Sequence, residues 1–436
     1  MIQLQKIIYN TLKLSEYHSL FHSIPVLVIG AGAVGTHLVE KLAKLGVSPD
    51  TIDYDHFTLE NAAKHGCLIR TPEDAGRNKA LCAAERVQPL LDEGCTANGI
   101  DGELCRLGPE AFAAYRYVVA AVDNYDAKLY LGEMIRQLPP ERRPVVIMDG
   151  TIGESASSVM LDNTDFCIDC LIGEGWKKER AVHTSCTGPQ FRTTGGVREI
   201  VRTSNLASSL AAHLTCEQLR AHVIGFEGVM NRRLTYTAFP GLELSSSHPM
   251  RKVNCPGCAV HPPAKIEWLR GSVLDTTLGD VMAQIGAFLG SDDFELSVHR
   301  FSYSGVVHGG FVAEDVCRCC GRPIRVMQHE GRLFADDLRC ADCAAADKPV
   351  QSDTVLQHVE PLHAFTPASG KALHAFTPAS GKALRALTLY EAGYPLGAHL
   401  EVIQRNGALD FLDVGITRTV FAFEGDAAKM HTIHKL

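Results

Sequence analysis

The sequence predicts an α/β protein whose main domain is a doubly wound, Rossmann-like parallel sheet, and three observations predict it. A β-branched run, "VLVI" at 26–29, leads directly into glycines at GxGxxG spacing. Strand and helix patterns then alternate as far as residue 149, as they do in folds built from right-handed βαβ units. Two CxxC pairs further along predict a structural zinc site that closes the domain.

The elements of this domain follow one another along the chain. We predict strands at 25–30, 51–54, 117–122 and 144–149, and helices at 34–45, 78–91 and 126–137. A less regular stretch, 151–202, precedes the Ala- and Ser-rich helical segment "SNLASSLAAHLTCEQLRAHVIG", and "RRLTYTAF" is typical of a strand. The domain therefore spans 25–263, behind an amphipathic helix in 1–24.

The rest of the chain predicts smaller units. We expect an α+β connecting region at 264–312, a zinc ribbon at 313–350, a linker at 351–384 and a small α+β C-terminal module at 385–436. The linker contains a perfect duplication, "LHAFTPASGKA" starting at 362 and again at 373. Two copies rich in Pro, Ser and Gly are too few for a solenoid, which favours a surface linker.

Composition limits the partners that the protein can have. The 436 residues carry a net charge of −8, which argues against a general affinity for nucleic acid or for an anionic membrane. The N-terminal stretch lacks the small-residue cleavage site of a signal peptide, and no run of about 18 apolar residues occurs. These features predict a cytoplasmic protein.

Cysteine spacing predicts two structural zinc sites. Nine of the fifteen cysteines lie in or beside CxxC pairs, and two such pairs supply the four thiolates of a tetrahedral site. In the second set, Cys319 is an alternative to Cys317, and acidic neighbours favour a structural or protein-docking role over nucleic-acid binding. The predicted ligands are Cys167, Cys170, Cys255 and Cys258 in the first site, and Cys317, Cys320, Cys340 and Cys343 in the second.

The glycine turn predicts a phosphate-binding site. Gly30 permits a tight turn, Gly32 lets the backbone approach a phosphate, and Gly35 lets the helix pack on the strand. Asp53 follows at the end of the second strand, where a ribose-binding carboxylate belongs. These residues alone leave the choice open between a dinucleotide and ATP.

The segment after Asp53, "DYDHFTLENAAKHGCLIRTPEDAGRNKA", resembles the ubiquitin-activating-enzyme-like adenylyltransferases of the ThiF/MoeB/HesA superfamily. A second block, "VVAAVDNYDAKLYL", has the Asp-Asn and the following basic residue of the same family. The resemblance implies an adenylation domain with ATP at this site and magnesium held by Asp123. The positions that match are Asp53, Asp55, Asn61, Lys64, Gly76 and Lys79 in the first block, and Asp123, Asn124 and Lys128 in the second.

The resemblance also assigns a nucleophile. Cys186 lies in a polar loop within 171–202, where the family places its thioester or persulfide cysteine, and His183 and Arg192 are near it in sequence. Neighbouring cations favour the thiolate form. A non-catalytic loop cysteine, or a loop that guides the substrate's tail over ATP, is the alternative.

The function implied is activation of a ubiquitin-like protein that ends in glycine. Lys79, Lys64 and Asp123 would act in adenylation, after which Cys186 would carry the thioester for a conjugating enzyme, and the family implies a homodimer. The C-terminal module would be ubiquitin-fold-like. Alternatives are adenylation of a sulfur-carrier protein, a nicotinamide dehydrogenase, and a non-catalytic zinc scaffold.

Two departures from the family pattern favour the scaffold alternative. Many members carry arginine where Lys64 stands, and many supply an arginine from an N-terminal segment, whereas this chain has none before Arg70. Lysine cannot replace the bidentate phosphate contact of arginine. Lys6 or Lys13 could supply charge instead.

Overall fold

The computed structural model describes most of the chain. The described residues are 19–59, 72–123, 125–152, 154–164, 166–172, 204–238, 241–291, 294–298, 301–303, 306–308, 310–329, 338–346, 360–361, 386, 388–390, 394–405 and 416–433. Most of the predicted N-terminal helix lies outside them, as does nearly all of the linker. Within these ranges, no helix combines the length and the apolar character needed to cross a membrane.

An eight-stranded sheet forms the main domain, in the order β3-β2-β1-β4-β5-β6-β7-β8. The first five strands in this order are parallel, and the last three pairings are antiparallel. The strands are β1 (Val26–Ile29), β2 (Pro49–Asp53), β3 (Asn98–Asp101), β4 (Tyr117–Ala120), β5 (Val145–Ile152), β6 (Ser155–Leu161), β7 (Arg232–Thr237) and β8 (Glu243–Ser247). The doubly wound sheet predicted from the sequence is confirmed.

Helices cover both faces of this sheet, as the fully buried β1 requires. One core contains alternate residues of β1 with Val146 and Met148, and the other contains the remaining β1 residues with Ile147 and Met160. The helices of the domain are α1 (Ala33–Lys44), α2 (Lys79–Val87), α3 (Pro109–Phe112), α4 (Tyr125–Arg136), α5 (Ile168–Leu171), α6 (Asn205–Val223) and α7 (Pro256–Ala259).

Three strands of this sheet, β3, β6 and β8, escaped the sequence prediction. β3 reads "NGID", and Asn, Gly and Asp are depleted in strands. At Gly99 a Cβ atom would lie 2.6 Å from the backbone oxygen of Ala80, so close packing against α2 explains the glycine. β6 lies in the stretch predicted to be irregular, and its buried Ser158 is satisfied by Thr215 and Gln218 of α6.

A second sheet has the order β10-β16-β17-β9, with β9 parallel to β17. Its core consists of apolar residues from both ends of this region, among them Leu269, Ile285 and Phe421. The predicted units 264–312 and 385–436 therefore contribute to one sheet; the ubiquitin-fold resemblance stays a prediction. The elements are β9 (Ile266–Leu269), α8 (Leu278–Leu289), β10 (Glu295–Val298), β16 (Leu400–Arg405), β17 (Ile416–Phe423) and α10 (Asp426–Lys429).

Between these strands the chain forms the region predicted as a zinc ribbon. This region contains a three-stranded sheet in the order β14-β13-β15. A separate hairpin precedes the sheet in sequence, and a short helix lies between β14 and β15 along the chain. The elements are β11 (Phe301–Tyr303), β12 (Val306–His308), β13 (Gly310–Val316), β14 (Pro323–His329), α9 (Ala341–Ala345) and β15 (Glu360–Pro361).

The C-terminal part docks on the main domain through backbone and buried charge. The amide of Gly108 donates to the oxygen of Leu396 at 2.6 Å, and the amide of Leu396 donates to Arg106 at 2.8 Å. Beside them, the buried carboxylate of Glu110 contacts both Arg142, at 2.5 Å, and His399, at 2.8 Å. The two parts are thus joined by directional contacts as well as by apolar packing.

Candidate functional site

The glycine turn connects β1 to α1 at the carboxyl edge of the parallel sheet. Gly30 has φ +94°, and a Cβ there would lie 2.7 Å from the oxygen of Ala121. At Gly35 a Cβ would lie 1.9 Å from the oxygen of Gly30, so helix and strand pack too closely for any side chain. Gly32, the N-cap of α1, has no described atom within 4 Å of its Cβ position. That open side leaves helix N–H groups available to an anion.

Asp53 fixes this turn from the end of β2. Its carboxylate accepts the amide of Ala31 at 2.6 Å and the amide of Asp55 at 2.8 Å. Burial raises the pKa of Asp53 to about 6, against the opposing effect of the Lys79 charge. A carboxylate has about four acceptor positions, and these two amides occupy two of them.

Lys79 is a buried cation at the same edge. It begins α2, is 2% exposed, and its ammonium donates to the carboxylate of Asp55 at 2.8 Å. Asn78, the N-cap of α2, accepts the amide of Leu81 and donates to the backbone oxygen of Asp53 at 2.8 Å. The cap therefore holds Lys79 beside the end of β2.

Carboxylates gather around Tyr54 at this edge. Burial raises the pKa of the Tyr54 phenol above its ordinary value, and the charges of Asp55, Asp53, Asp123 and Glu103 raise it further. Asp123 is exposed, three residues beyond the end of β4. The charges of Asp53, Asp55 and Asp123 all act on this one phenol, so the three predicted carboxylates lie near one another at this edge.

Lys128 is buried against β5. It lies in α4, is 9% exposed, and its ammonium donates to the backbone oxygen of Asp149 at 3.0 Å. Burial lowers its pKa, while the charges of Asp149 and Asp123 oppose that effect. Four predicted site residues, Asn61, Lys64, Asn124 and Cys186, lie outside the described residues.

The first cysteine set forms a closed, buried cluster. All four thiols are buried, with Sγ–Sγ distances of 3.6 Å for Cys167–Cys255, 3.5 Å for Cys170–Cys258, 3.6 Å for Cys167–Cys258 and 4.0 Å for Cys167–Cys170. Zn–S bonds of about 2.3 Å in a tetrahedron give edges of about 3.8 Å. The four thiols therefore fit zinc.

Neighbouring groups orient this cluster. The carboxylate of Asp169 accepts the amide of Gly257 at 3.1 Å, and Lys252 donates to the backbone oxygens of Asp169 and Ile172. At Gly257 a Cβ would lie 2.7 Å from the sulfur of Cys167. Glycine is required there because the two CxxC turns meet at this point.

The second cysteine set also converges, as predicted. Its four sulfurs lie within 4.8 Å of one another, with Cys320 and Cys340 at 3.7 Å. The amide of Cys340 donates to the sulfur of Cys317 at 3.2 Å, so Cys317 rather than Cys319 completes the set. Cys320 is exposed, which makes this cluster more open than the first.

Comparison with known proteins now identifies the family. The ThiF family profile matches residues 5–292. The chain belongs to the ThiF family. It is 27% identical to the NEDD8-activating enzyme E1 catalytic subunit of Caenorhabditis elegans over 158 residues, covering 34% of this chain and 36% of that protein. It is 33% identical to the tRNA threonylcarbamoyladenosine dehydratase of Haemophilus influenzae over 109 residues, covering 24% and 41%.

This ThiF-family chain therefore spans about 36 to 41% of the length of those two relatives. Among solved structures it is similar to Escherichia coli MccB bound to ATP, at 14% identity and a TM-score of 0.43, covering 58% of this chain and 72% of that one. It is also similar to PaaA, at 18% identity and a TM-score of 0.41, covering 57% and 70%.

Three contributors to the ThiF-family site were missed by sequence reasoning. Asn78 could have been found, since an Asn directly before a helical pattern is a frequent N-cap. Tyr54 and Asp149 carry no such signal, because only the tertiary structure places them beside Asp123 and Lys128.

Proposed function

We propose that this protein uses ATP to adenylate the C-terminal glycine of a ubiquitin-like protein. The observation that carries the proposal is the convergence of an open glycine turn and a buried lysine at one sheet edge. The open Gly32 amide side suits a phosphate, and Lys79 supplies the charge that a triphosphate needs more than a dinucleotide does. The relatives named as activating enzymes support the substrate class.

In this proposal the substrate's carboxylate oxygen attacks the α-phosphorus of ATP. The bond from that phosphorus to the bridging oxygen breaks, pyrophosphate leaves with the electron pair, and an acyl adenylate forms. Lys79, joined by Lys64, stabilises the charge that develops on the phosphate oxygens. Asp53 and the α1 N-terminus hold the ribose and the phosphates, with further contacts from Asp55, Asn61 and Asn124 as predicted.

Magnesium would be held by Asp123. A hard cation prefers oxygen ligands and usually takes one or two carboxylates together with phosphate oxygens, and Asp123 is an exposed carboxylate at the same edge as Asp53 and Asp55. The cation would neutralise phosphate charge against this acidic edge. The residues present therefore fit a single magnesium ion delivered with ATP.

The second step would transfer the acyl group to Cys186. Its thiolate attacks the acyl carbon, the bond to the AMP oxygen breaks, and a thioester and AMP result. A conjugating enzyme would then accept the acyl group. We propose a homodimer in the cytoplasm as the working form, and zinc in both cysteine clusters as a structural component.

Exchange of labelled pyrophosphate into ATP tests the proposal. With a cognate ubiquitin-like protein, we expect exchange that Lys79→Ala lowers by roughly a hundredfold. Cys186→Ala should keep the exchange and lose the adduct that thiols cleave. No exchange with any glycine-ended protein encoded nearby would contradict the proposal, whereas a thiocarboxylate product would indicate the sulfur-carrier alternative.

A further inference from the structure

Lys128 is buried and hydrogen-bonded to β5. Its ammonium donates to the backbone oxygen of Asp149 in β5 at 3.0 Å, and only 9% of the residue is exposed. A lysine this buried is rare unless it is paired with an acid. The role of Lys128 is therefore best inferred from the groups that surround its ammonium.

Asp149 is a buried acid whose charge acts on Lys128. It is 6% exposed, and its Oδ2 atom has no hydrogen-bond partner within the described part of the chain. Burial raises the pKa of Asp149 to about 7, and the charge of Lys128 opposes that rise. The ammonium and the carboxylate thus each reduce the cost of burying the other's charge.

The pair is connected to Asp123. The charges of Asp149 and Asp123 both act on Lys128. In sequence, α4 begins two residues after Asp123, and Lys128 lies in its first turn. Bonding Lys128 to β5 therefore fixes the first turn of α4 and, through it, the short loop that carries Asp123.

We propose that Lys128 and Asp149 are positioning residues for the carboxylate of Asp123, and that Lys128 makes no contact with the nucleotide. This inference rests on the proposed function, since it takes Asp123 as the ligand of the magnesium that accompanies ATP. Partners of a metal ligand typically change metal affinity by about 10 to 100-fold when they are removed. The two possible roles of Lys128 therefore differ in their dependence on magnesium.

The test is calorimetric binding of a non-hydrolysable ATP analogue, with magnesium and again with a chelator of magnesium. We expect Lys128→Met to weaken binding by roughly tenfold with magnesium and to leave binding in the chelator unchanged. Asp149→Asn should do the same to a smaller degree, and Lys128→Arg should restore part of the loss. Lys44→Met, an exposed α1 lysine paired with Glu40, is the control and should bind as the wild type does.

The double variant Lys128→Met/Asp149→Asn separates a shared role from a folding defect. It removes both buried charges together, and it should bind no more weakly than Lys128→Met alone, because residues acting as a unit are not additive. Thermal unfolding of each variant shows which ones are folded. Fully additive losses in folded variants would contradict a joint role.

Two further results would overturn the inference. Equal weakening by Lys128→Met with and without magnesium would make Lys128 a phosphate ligand, and no weakening in either condition would give it no role at the site. Failure of the proposed function shows separately, as a wild-type protein that binds the analogue with magnesium but exchanges no pyrophosphate. A wild type that binds no analogue would overturn both.

Discussion

At the scale of single residues, the candidate site depends on carboxylates and lysines that share partners. Lys79 pairs with the carboxylate of Asp55, Lys128 donates to the backbone oxygen of Asp149, and Asp53 holds the glycine turn through the amide of Ala31. Each of these groups is buried or half-buried, where an unpaired charge is costly. Titration of one buried carboxylate should therefore be visible in the stability of the whole protein.

Asp149→Asn should remove a pH dependence of the free energy of unfolding. The pKa of Asp149 is about 7 in the folded chain and near 3.8 when exposed, so the native state holds its proton more tightly than the unfolded state does. Stability from this group is full below pH of about 4 and falls as pH rises towards about 7. The wild type should lose roughly 2 kcal/mol relative to Asp149→Asn between about pH 5.5 and about pH 7.5.

Urea unfolding of both proteins at these two pH values measures this difference. Both proteins are measured at the same metal loading, so that any effect of pH on the cysteine clusters cancels in the comparison. A gap between the two proteins that is the same at both pH values would contradict the burial of Asp149.

At the scale of elements, close backbone packing determines which glycines matter. Within the nucleotide-binding turn, Gly35 has no room for a Cβ, whereas Gly32 has open space on that side. Gly257 lies in a cysteine turn and is in contact with the first cluster, whereas Gly241, between β7 and β8, is not. Each pair offers one glycine required for packing and one matched control.

Gly35→Ala should destabilise the protein, because its Cβ would overlap the backbone of Gly30, while Gly32→Ala should leave stability nearly unchanged. We expect Gly32→Ala instead to weaken ATP binding, since the methyl group would occupy the approach of a phosphate to the α1 N-terminus. Thermal unfolding and nucleotide titration of both variants check this. Equal stabilities would contradict the packing argument.

Gly257→Ala should lower the zinc content of the purified protein from two ions per chain to one. The added methyl group would lie 2.7 Å from the sulfur of Cys167 and would separate the two CxxC turns. Gly241→Ala, with no described atom within 4 Å of its Cβ position, should keep both ions. Metal analysis by mass spectrometry of the intact protein distinguishes the two, and two ions in Gly257→Ala would contradict the requirement for glycine at this contact.

At the scale of the whole molecule, the C-terminal part is fixed to the adenylation-type domain. Glu110 lies at the junction, and burial by itself raises its pKa, but hydrogen bonds from His399 and Arg142 hold the pKa below its ordinary value. Within the C-terminal part, beside the junction, the amide of Gly397 donates to the carboxylate of Asp426 at 2.8 Å. We expect the two parts to unfold together.

Glu110→Gln should separate this unfolding into two steps. Removing one member of a buried ion pair costs of the order of 3 kcal/mol, because its partners keep their charge without compensation. Glu85→Gln is the control: Glu85 is exposed and pairs with Arg77 at the surface, so the change should cost less than about 1 kcal/mol. Calorimetry of both variants checks this, and a single transition at the wild-type temperature for Glu110→Gln would contradict it.

The sequence by itself determined the doubly wound sheet, the nucleotide-binding turn and both cysteine sets. These features depend on residues that are close together in the chain or on strict spacings. Gly30 is recognised by its place in the turn motif, and Cys167 and Cys170 by the spacing of a CxxC pair. The periodicity of a helix and the apolar run of a buried strand are likewise visible in a short segment of sequence. That is why the family could be identified from short motifs.

Only the tertiary structure decided what depends on distant pairing. It joined β9 and β10 to β16 and β17 in one sheet, and it turned Lys128 towards Asp149 although the motif suggests a nucleotide contact. A side chain's direction follows from the packing of its helix against strands far away in sequence, which no local pattern records. The contact between the first turn of α4 and β5, made by Lys128 and Asp149, is therefore a feature of the site that only the tertiary structure shows.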